Sequence, residues 1–213
     1  MPSTHLQKTA PRAQLSPIHL AQLRATHLDS FPPNERGDFD EWLAEISAGD
    51  KWLYTATIDD ALVGYATILP GIAPRVYFLE YLAVAREHRN AGIGGQLLRH
   101  LARELRGKAS GLIWEVESPD IGTPDERKIR ARRIAFYARN GGMLIDCAPR
   151  FRAPNLAGGE PVEEKLMWLS LNGNDAPPRG EALRECIVGI LTRDYGLAEN
   201  AALVQENLRA LRC

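Results

Sequence analysis

The chain has 213 residues, enough for one domain of ordinary size with or without an appendage. Its 26 basic and 27 acidic residues nearly balance, so no excess of positive charge argues for a nucleic-acid partner. No apolar run approaches the roughly 20 residues of a membrane span, and the odd, widely spaced Cys147, Cys186 and Cys213 suggest neither a disulfide framework nor a metal site. These features predict a soluble protein of the reducing cytoplasm, without membrane, nucleic-acid or metal partners.

The predicted elements follow from two periodicities. Helices are expected where apolar residues recur every three or four positions, and strands where β-branched and aromatic residues cluster. In chain order the predictions are a flexible arm (1–12) ending in a short strand (about 12–15), helices (16–30 and 38–48), strands (52–58, 62–69 and 75–85), a helix (92–106), a strand (112–117), a helix (124–140), strands (143–147 and 165–171) and two final helices (181–194 and 197–211).

Proline and glycine residues mark the expected ends of several of these elements. Pro70-Gly71 is expected to end the second strand of a hairpin, and Gly141-Gly142 to end the helix before them. The strand at 75–85, the helix after it and the strand at 112–117 form a βαβ unit, whose two strands are parallel if the crossover is right-handed.

The most informative stretch lies where this βαβ unit turns from strand to helix. Gly92, Gly94 and Gly95 would let an anion approach the backbone, and the first turn of a helix carries N–H groups without partners at its positive end. The spacing fails the nucleotide P-loop, because no lysine follows Gly94 or Gly95, and it fails the dinucleotide fingerprint, because Leu97 occupies the third glycine position.

The segment Arg89-Asn90-Ala91-Gly92-Ile93-Gly94 resembles the Arg/Gln-x-x-Gly-x-Gly/Ala pyrophosphate motif of the GNAT superfamily of acyl-CoA-dependent N-acyltransferases. The resemblance implies an α/β (α+β) fold over 13–171, with a mixed, mostly antiparallel central sheet and helices on both faces. It also implies acetyl-CoA as co-substrate, without a metal. Residues 172–213 form a C-terminal helical extension that the resemblance does not cover.

The same resemblance implies which residues bind the cofactor. The backbone of Leu82, Ala83 and Val84 would contact the pantetheine arm, although core packing is the plainer role of these side chains. The turn would hold the pyrophosphate; its residues are Arg89, Asn90, Ala91, Gly92, Ile93, Gly94 and Gly95. A solvated surface arginine is the alternative for Arg89.

A second motif ends the helix at 124–140. Ile134-Ala135-Phe136-Tyr137 resembles the family segment whose tyrosine lies near the CoA sulfur and acts as general acid; a core tyrosine is the alternative. The sequence departs from the family at Arg130 and Arg133, where an asparagine and a small residue are common. Arg130 shares a helical face with Tyr137 and could reach a CoA phosphate.

Carboxylates supply the candidate base and the acceptor site. An isolated glutamate on a buried strand is costly, so Glu80 is predicted as general base, with a structural salt bridge as the alternative. Glu115 and Glu117 share one face of the next strand and could position a cationic amine or act as base. No histidine is assigned a role.

Two functions follow from the resemblance and these residues. The first is transfer of an acetyl group from acetyl-CoA, by direct attack in a ternary complex, to the primary amine of a cationic small molecule or peptide. The second is a non-catalytic acyl-CoA sensor or interaction module on the same fold. Leu183, Ile187, Ile190 and Leu191 form an apolar stripe on the extension, which should dock on the core or on a second subunit in a homodimer.

Overall fold

The computed structural model of the chain describes residues 4–9, 15–173 and 176–213. It contains eight strands and six α-helices, together with a 3₁₀ turn (Arg86–His88) and a π-helical segment (Ile190–Asp194), among the described residues. The elements are β1 (His5–Lys8), α1 (Pro17–Ser30), α2 (Phe39–Ala48), β2 (Trp52–Ile58), β3 (Ala61–Ala73), β4 (Val76–Val84), α3 (Ile93–Leu105), β5 (Gly111–Glu117), α4 (Pro124–Arg139), β6 (Met143–Leu144), β7 (Phe151–Ala153), β8 (Val162–Ser170), α5 (Gly180–Gly189) and α6 (Ala202–Arg209).

The strands form one mixed, mostly antiparallel sheet. Their hydrogen-bonded order is β1-β2-β3-β4-β5-β8-β6, and β7 also pairs with β8. The β4–β5 ladder is parallel and joins Val76–Phe78 to Gly111–Ile113, whereas β5 and β8 run antiparallel along the whole of β5. The predicted fold class and the parallel strands of the βαβ unit are therefore confirmed.

Side-chain capping explains where several helices begin. The Ser16 side chain accepts the His19 N–H group ahead of Pro17, and Asp38 caps α2 in the same way. Thr123 and Glu126 form a reciprocal capping box at the start of α4. Among the described residues, no helix is long and apolar enough to cross a membrane.

The chain divides into two compact units. The first consists of Met1–Pro70, Leu79–Glu104 and Leu156–Gly158, and the second of Gly71–Phe78, Leu105–Asn155 and Gly159–Cys213. In the first unit, α1 and α2 pack on β2, β3 and β4 through an aromatic cluster. The buried rings and their neighbours are Leu23, Phe39, Trp42, Ile46, Leu53, Leu62, Tyr65, Tyr81 and Ala83.

In the second unit, the C-terminal extension is part of the core. Leu183, Ile187, Ile190 and Leu191 are each at most 1% exposed, so the predicted apolar stripe packs within this chain. Asn207 in α6 accepts the Arg152 N–H group and donates to its carbonyl, which fastens α6 to β7. Docking on the core is therefore the alternative that the fold supports.

Several elements differ from the prediction. The segment expected to be a flexible arm contains β1 (His5–Lys8), which pairs with β2. The Lys8 Nζ atom lies 3.4 Å from the Trp52 ring centroid, a cation–π contact that an apolar pattern in the sequence cannot predict. The strand expected at 12–15 falls mostly outside the described residues. β3 continues through Pro70-Gly71 because Gly71 adopts φ +67°, and β7 forms within the predicted loop.

The cysteine prediction is wrong for one pair. Cys147 and Cys213 form a disulfide with Cα atoms 5.3 Å apart, across 66 positions of sequence. The odd number and wide spacing of the cysteines argued against a bridge. However, the C-terminal extension folds back beside Cys147, and the Arg212 N–H group donates to the Cys147 carbonyl. Cys186 is a buried free thiol, and burial raises its pKa to about 12.

Candidate active site

The glycine turn places unpaired backbone donors at the start of α3. Asn90 and Gly92 adopt φ +66° and +82°, and the Gly92 carbonyl accepts the Gln96 N–H group, which makes Gly92 the residue before the first helical turn. The N–H groups of Ile93, Gly94 and Gly95 therefore have no carbonyl partner within the helix. A Cβ atom at Gly92 would meet nothing within 4 Å, so this face of the turn is open.

Packing beneath the turn holds these donors in place. Ile93 and Leu97 are at most 2% exposed and pack with Ala56 and Val63 of β2 and β3. Little space is left at Gly64 of β3, where a Cβ atom would lie 3.0 Å from the Ala83 carbonyl oxygen and 3.4 Å from the Ile93 and Leu97 side chains. The turn and helix start are thus fixed before any anion binds.

Arg89 clamps the turn to its neighbours. Its Nε donates to the Val84 carbonyl at 3.1 Å, and one terminal nitrogen lies 2.5 Å from the Asp29 carboxylate and 3.2 Å from the Ser30 hydroxyl. About two fifths of the Arg89 and Asp29 side chains is exposed, so this ion pair can exchange with solvent. Arg89 holds the end of β4 to the end of α1, and a phosphate would share its guanidinium with Asp29.

At the end of β4, successive residues direct their backbone N–H and C=O groups to opposite edges of the strand. The Ala85 N–H group donates to the Val63 carbonyl of β3, so Ala83 and Ala85 direct their backbone toward β3. The backbone of Leu82 and Val84 consequently points to the opposite edge. This part of β4 lies beyond the β4–β5 ladder, which covers Val76–Phe78. The Leu82 and Val84 side chains pack against a core cluster, as their plainer role requires.

Glu80 is the centre of a buried polar network. Its carboxylate accepts from Lys51 Nζ at 2.6 Å, from Trp42 Nε1 at 3.1 Å and from the Thr67 hydroxyl at 3.1 Å. The Glu80 and Lys51 side chains are 7% and 6% exposed. A general base needs a lone pair directed at its substrate, whereas these donors take three of the roughly four lone-pair sites of the carboxylate. The network favours the salt-bridge alternative for Glu80.

Tyr137 lies on the buried face of α4, in the second unit. Its ring centroid is 4.9 Å from that of Trp114 and 5.1 Å from that of Phe136. Burial raises the pKa of the phenol to about 12, against a smaller opposing effect of Arg133. Tyr137 therefore keeps its proton near neutral pH, which a proton donor requires.

Arg130 and Glu117 are partners of each other. Arg130 Nε lies 3.1 Å from a Glu117 carboxylate oxygen, and its NH1 donates to the Ser118 and Ile121 carbonyls at 3.4 and 2.8 Å. Arg133 donates to the other Glu117 oxygen. The negative charge predicted to attract an amine is thus compensated at Glu117, and the arginine predicted to bind a phosphate is already engaged.

Glu115 has a partner that sequence reasoning missed. The Tyr195 hydroxyl, at the end of the π-helical segment, donates to Glu115 Oε2 at 2.6 Å. Burial raises the pKa of Tyr195 well above its usual value, and the charges of Glu115, Asp194 and Glu164 add to this effect. The two residues are 80 positions apart, and no local pattern in the sequence links them.

Two separate sets of predicted residues thus emerge. The β4 end and glycine turn belong to the first unit, and Glu115, Glu117, Arg130 and Tyr137 belong to the second. Among the described residues, no group of three or more His, Cys, Asp or Glu side chains could hold a metal ion.

Known proteins share both sequence and fold with this chain. The streptothricin acetyltransferase of Streptomyces lavendulae is 25% identical over 113 residues, which cover 53% of this chain and 59% of that protein's length. A solved GNAT-family protein from Bacteroides thetaiotaomicron superposes with a TM-score of 0.65, at 24% identity over 84% of this chain and 93% of that one. An aminoglycoside 6′-N-acetyltransferase complexed with coenzyme A gives a TM-score of 0.59, at 20% identity over 81% and 99% of the two chains.

The family assignment rests on the sequence match that spans both units. Residues 17–141, more than half of the chain, match the sequence model of the Acetyltransferase (GNAT) family. This range contains the glycine turn and Tyr137, and the solved structures agree with it in fold. The protein therefore belongs to the GNAT family of acetyltransferases.

Proposed function

We propose that the protein transfers the acetyl group of acetyl-CoA directly to a primary amine in a ternary complex. The observation that carries the proposal is the glycine turn, with open space at Gly92 and unpaired N–H groups at the start of α3. Such a helix start suits a diphosphate, because the donors and the positive end of the helix dipole act together. Complexation of an aminoglycoside 6′-N-acetyltransferase of similar fold with coenzyme A supports this choice of ligand.

The cofactor roles are proposed for the glycine turn and the end of β4. The N–H groups of Ile93, Gly94 and Gly95 would hold the diphosphate, with Asn90, Ala91 and Gly92 shaping the turn. Leu82 and Val84 would pair their outward backbone groups with the pantetheine amides, as an added strand does, and the Val84 carbonyl would be shared with Arg89 Nε. Arg89 would contribute a partly exposed cation, and Arg130 would have to leave Glu117 before binding a phosphate.

Proton transfer is assigned to Tyr137. Acetyl-CoA supplies an activated acetyl group and leaves as a thiolate, which must be protonated. The Tyr137 phenol holds its proton near neutral pH and would donate it. Glu80 is proposed as the buried partner of Lys51 and not as the base, so the amine would lose its proton to water.

The acceptor is proposed to carry a positive charge. Glu115 Oε2 accepts from the Tyr195 hydroxyl, and Glu117 lies between two guanidinium groups, which compensate its charge. Acceptor binding is proposed at Glu115. The names of two relatives give streptothricin and aminoglycosides as the first amines to test.

The proposal is tested by thiol release from acetyl-CoA with streptothricin, kanamycin, spermidine, 1,4-diaminobutane and a peptide with a free N-terminus. We expect release above the amine-free blank with at least one of them. Tyr137→Phe should retain acetyl-CoA affinity by calorimetry and lose about 10²- to 10⁴-fold in turnover. Binding of acetyl-CoA without turnover of any amine would favour the sensor alternative, and absence of binding would refute both functions.

A further inference from the structure

The two halves of the C-terminal extension are held in place to different degrees. Five side chains of α5 and the π-helical segment are at most 1% exposed: Leu183, Cys186, Ile187, Ile190 and Leu191. In α6, only Val204 and Asn207 of the eight residues are buried, and no side chain caps its N-terminus. A helix of this length is not stable alone in water. The position of α6 therefore depends on its contacts with the rest of the second unit.

Two side chains of α6 bind β7. Asn207 Oδ1 accepts the Arg152 N–H group at 2.8 Å, and Asn207 Nδ2 donates to the Arg152 carbonyl at 2.9 Å. The Glu206–Arg152 ion pair adds little, because these side chains are 45% and 39% exposed. Through Glu206, Asn207 and Ala210, α6 also forms part of the wall of a cavity of about 590 Å³ beside β7 and the start of β8. Movement of α6 would open this cavity and leave the edge of β7 without its amide partner.

A covalent bridge holds the end of the segment that carries α6. Cys213 is bonded to Cys147, and the Arg212 N–H group donates to the Cys147 carbonyl at 2.9 Å. At the start of the segment, the Leu197 N–H group donates to the Leu191 carbonyl at 3.0 Å, which ties the chain to the π-helical segment. The bridge therefore turns this segment into a loop of roughly 15 residues that is held at both ends, which restricts its undocked conformations.

The bridge is accessible at Cys213, and no other thiol competes for it. Cys213 is exposed, whereas Cys147 is buried. The chain has one further cysteine, Cys186, which is buried, and burial raises its pKa to about 12. A thiol that stays protonated near neutral pH does not attack a disulfide. The pair thus has two states, bridged and open, without exchange onto a third cysteine.

We propose that the Cys147–Cys213 bridge is a redox-sensitive latch on α6, which a dithiol reductant opens while the rest of the second unit stays folded. This inference is independent of the proposed acetyl transfer. Opening the latch leaves α6 to its noncovalent contacts, so α6 separates from β7 more often and uncovers the cavity wall and the β7 edge. The α5 helix and the π-helical segment keep their places, because their burial does not depend on the bridge.

The chemistry is a thiol–disulfide exchange. A thiolate of the reductant attacks the Cys213 sulfur, the S–S bond breaks, and the Cys147 sulfur leaves with the electron pair and takes up a proton. The second thiolate of the reductant then attacks the mixed disulfide and releases Cys213 in the same way. The protein gains two electrons and two protons, and the dithiol becomes a disulfide. Exchange with a disulfide oxidant reverses each step.

The length of the loop gives the expected size of the effect. Closing a loop of about 15 residues corresponds to a change of about 100-fold in the population of the undocked segment. We therefore expect amide hydrogen exchange in α6 to be about 100-fold faster in the reduced protein than in the oxidised one. The Arg152 amide should follow α6, because Asn207 is its partner. Over the same exposure times, amides of α5 should stay protected in both forms.

Hydrogen exchange of the full chain, read by mass spectrometry with and without dithiothreitol and without denaturant, tests the latch. Iodoacetamide labelling of parallel samples identifies the free thiols. Cys213→Ser should reproduce the exchange of the reduced protein and should not respond to dithiothreitol. Cys186→Ala is the matched control, because it removes the thiol outside the bridge and should respond as wild type does.

The results separate a latch from a plain structural bridge. Faster exchange confined to α6 and the β7 edge, with Cys213 labelled only after reduction, would support the proposal. Equal exchange of α6 in the oxidised and reduced forms would refute it. Loss of protection in α5 together with α6 would also refute it, because the bridge would then hold the whole unit. A bridge that dithiothreitol reduces only in denaturant, or a Cys213 thiol that labels without reductant, would equally overturn the proposal.

Discussion

The buried Lys51–Glu80 pair gives the sharpest prediction about stability. Lys51→Met removes the cation 2.6 Å from a carboxylate whose side chain is 7% exposed, while the Trp42 and Thr67 donors stay. Loss of one partner of a buried ion pair costs about 3–5 kcal/mol, and the two remaining hydrogen bonds place this case at about 3 kcal/mol. Small proteins are stable by only about 5–15 kcal/mol, so urea unfolding will resolve the change.

A second, exposed ion pair of Lys51 provides the control for this prediction. Lys51 also contacts Glu45 at 2.8 Å, but the Glu45 side chain is 47% exposed. Glu45→Gln should therefore cost at most about 1 kcal/mol. The double variant Lys51→Met, Glu80→Gln should recover more than half of the loss, because the neutral amide still accepts from Trp42 and Thr67. Equal, small effects of Lys51→Met and Glu45→Gln would refute the buried network.

The remaining predictions concern stability elsewhere in the chain. Burial, aided by Arg36, lowers the pKa of His27 to about 4, below the unfolded value of 6.5, so the folded state binds fewer protons between these values. The free energy of unfolding should then fall as pH drops from 7 to 4, by at most about 3 kcal/mol for this group, and the urea midpoint of His27→Phe should depend less on pH. Gly189→Ala should lower the melting temperature far more than Gly37→Ala, where φ is not positive and a Cβ atom meets nothing within 4 Å; similar melts would show that α5 does not approach β3 so closely. Cys213→Ser should cost about 4 kcal/mol, the entropy of closing a loop of 66 residues, and an identical urea midpoint with and without the substitution would argue against the bridge.

Local signals predicted the elements that the site needs. The strand before the glycine turn, the helix after it and the strand at β5 were all predicted close to their observed bounds. Each depends on residues near in sequence: glycines at the turn, apolar spacing in α3 and β-branched residues in β5. Tyr137 was singled out by its resemblance to the family's second motif, with a core tyrosine as the alternative.

The features that the sequence could not predict depend on pairs of residues that are far apart in the chain. Glu80 was recognised as unusual, but its partner Lys51 lies just before β2, and nothing in the local sequence marks Lys51 as buried. Tyr195 and Glu115 meet only after the extension docks, and Cys147 and Cys213 only after its last residues return. β1 is held by its ladder and by a cation–π contact, and neither leaves a recognisable pattern in the four residues His5–Lys8.

The central claim is that the backbone at Gly92–Gly95 binds the diphosphate of a CoA thioester. Gly92→Asp and Gly92→Asn test it as a pair of nearly equal size, because both residues tolerate a positive φ, both cap helices, and a Cβ atom meets nothing within 4 Å there. The measurement is calorimetric titration of each variant and wild type with acetyl-CoA. We predict that Gly92→Asp binds about tenfold or more weakly than Gly92→Asn, since only the aspartate adds a negative charge beside the diphosphate. Equal affinities of the two variants, or no heat with wild type, would contradict the account.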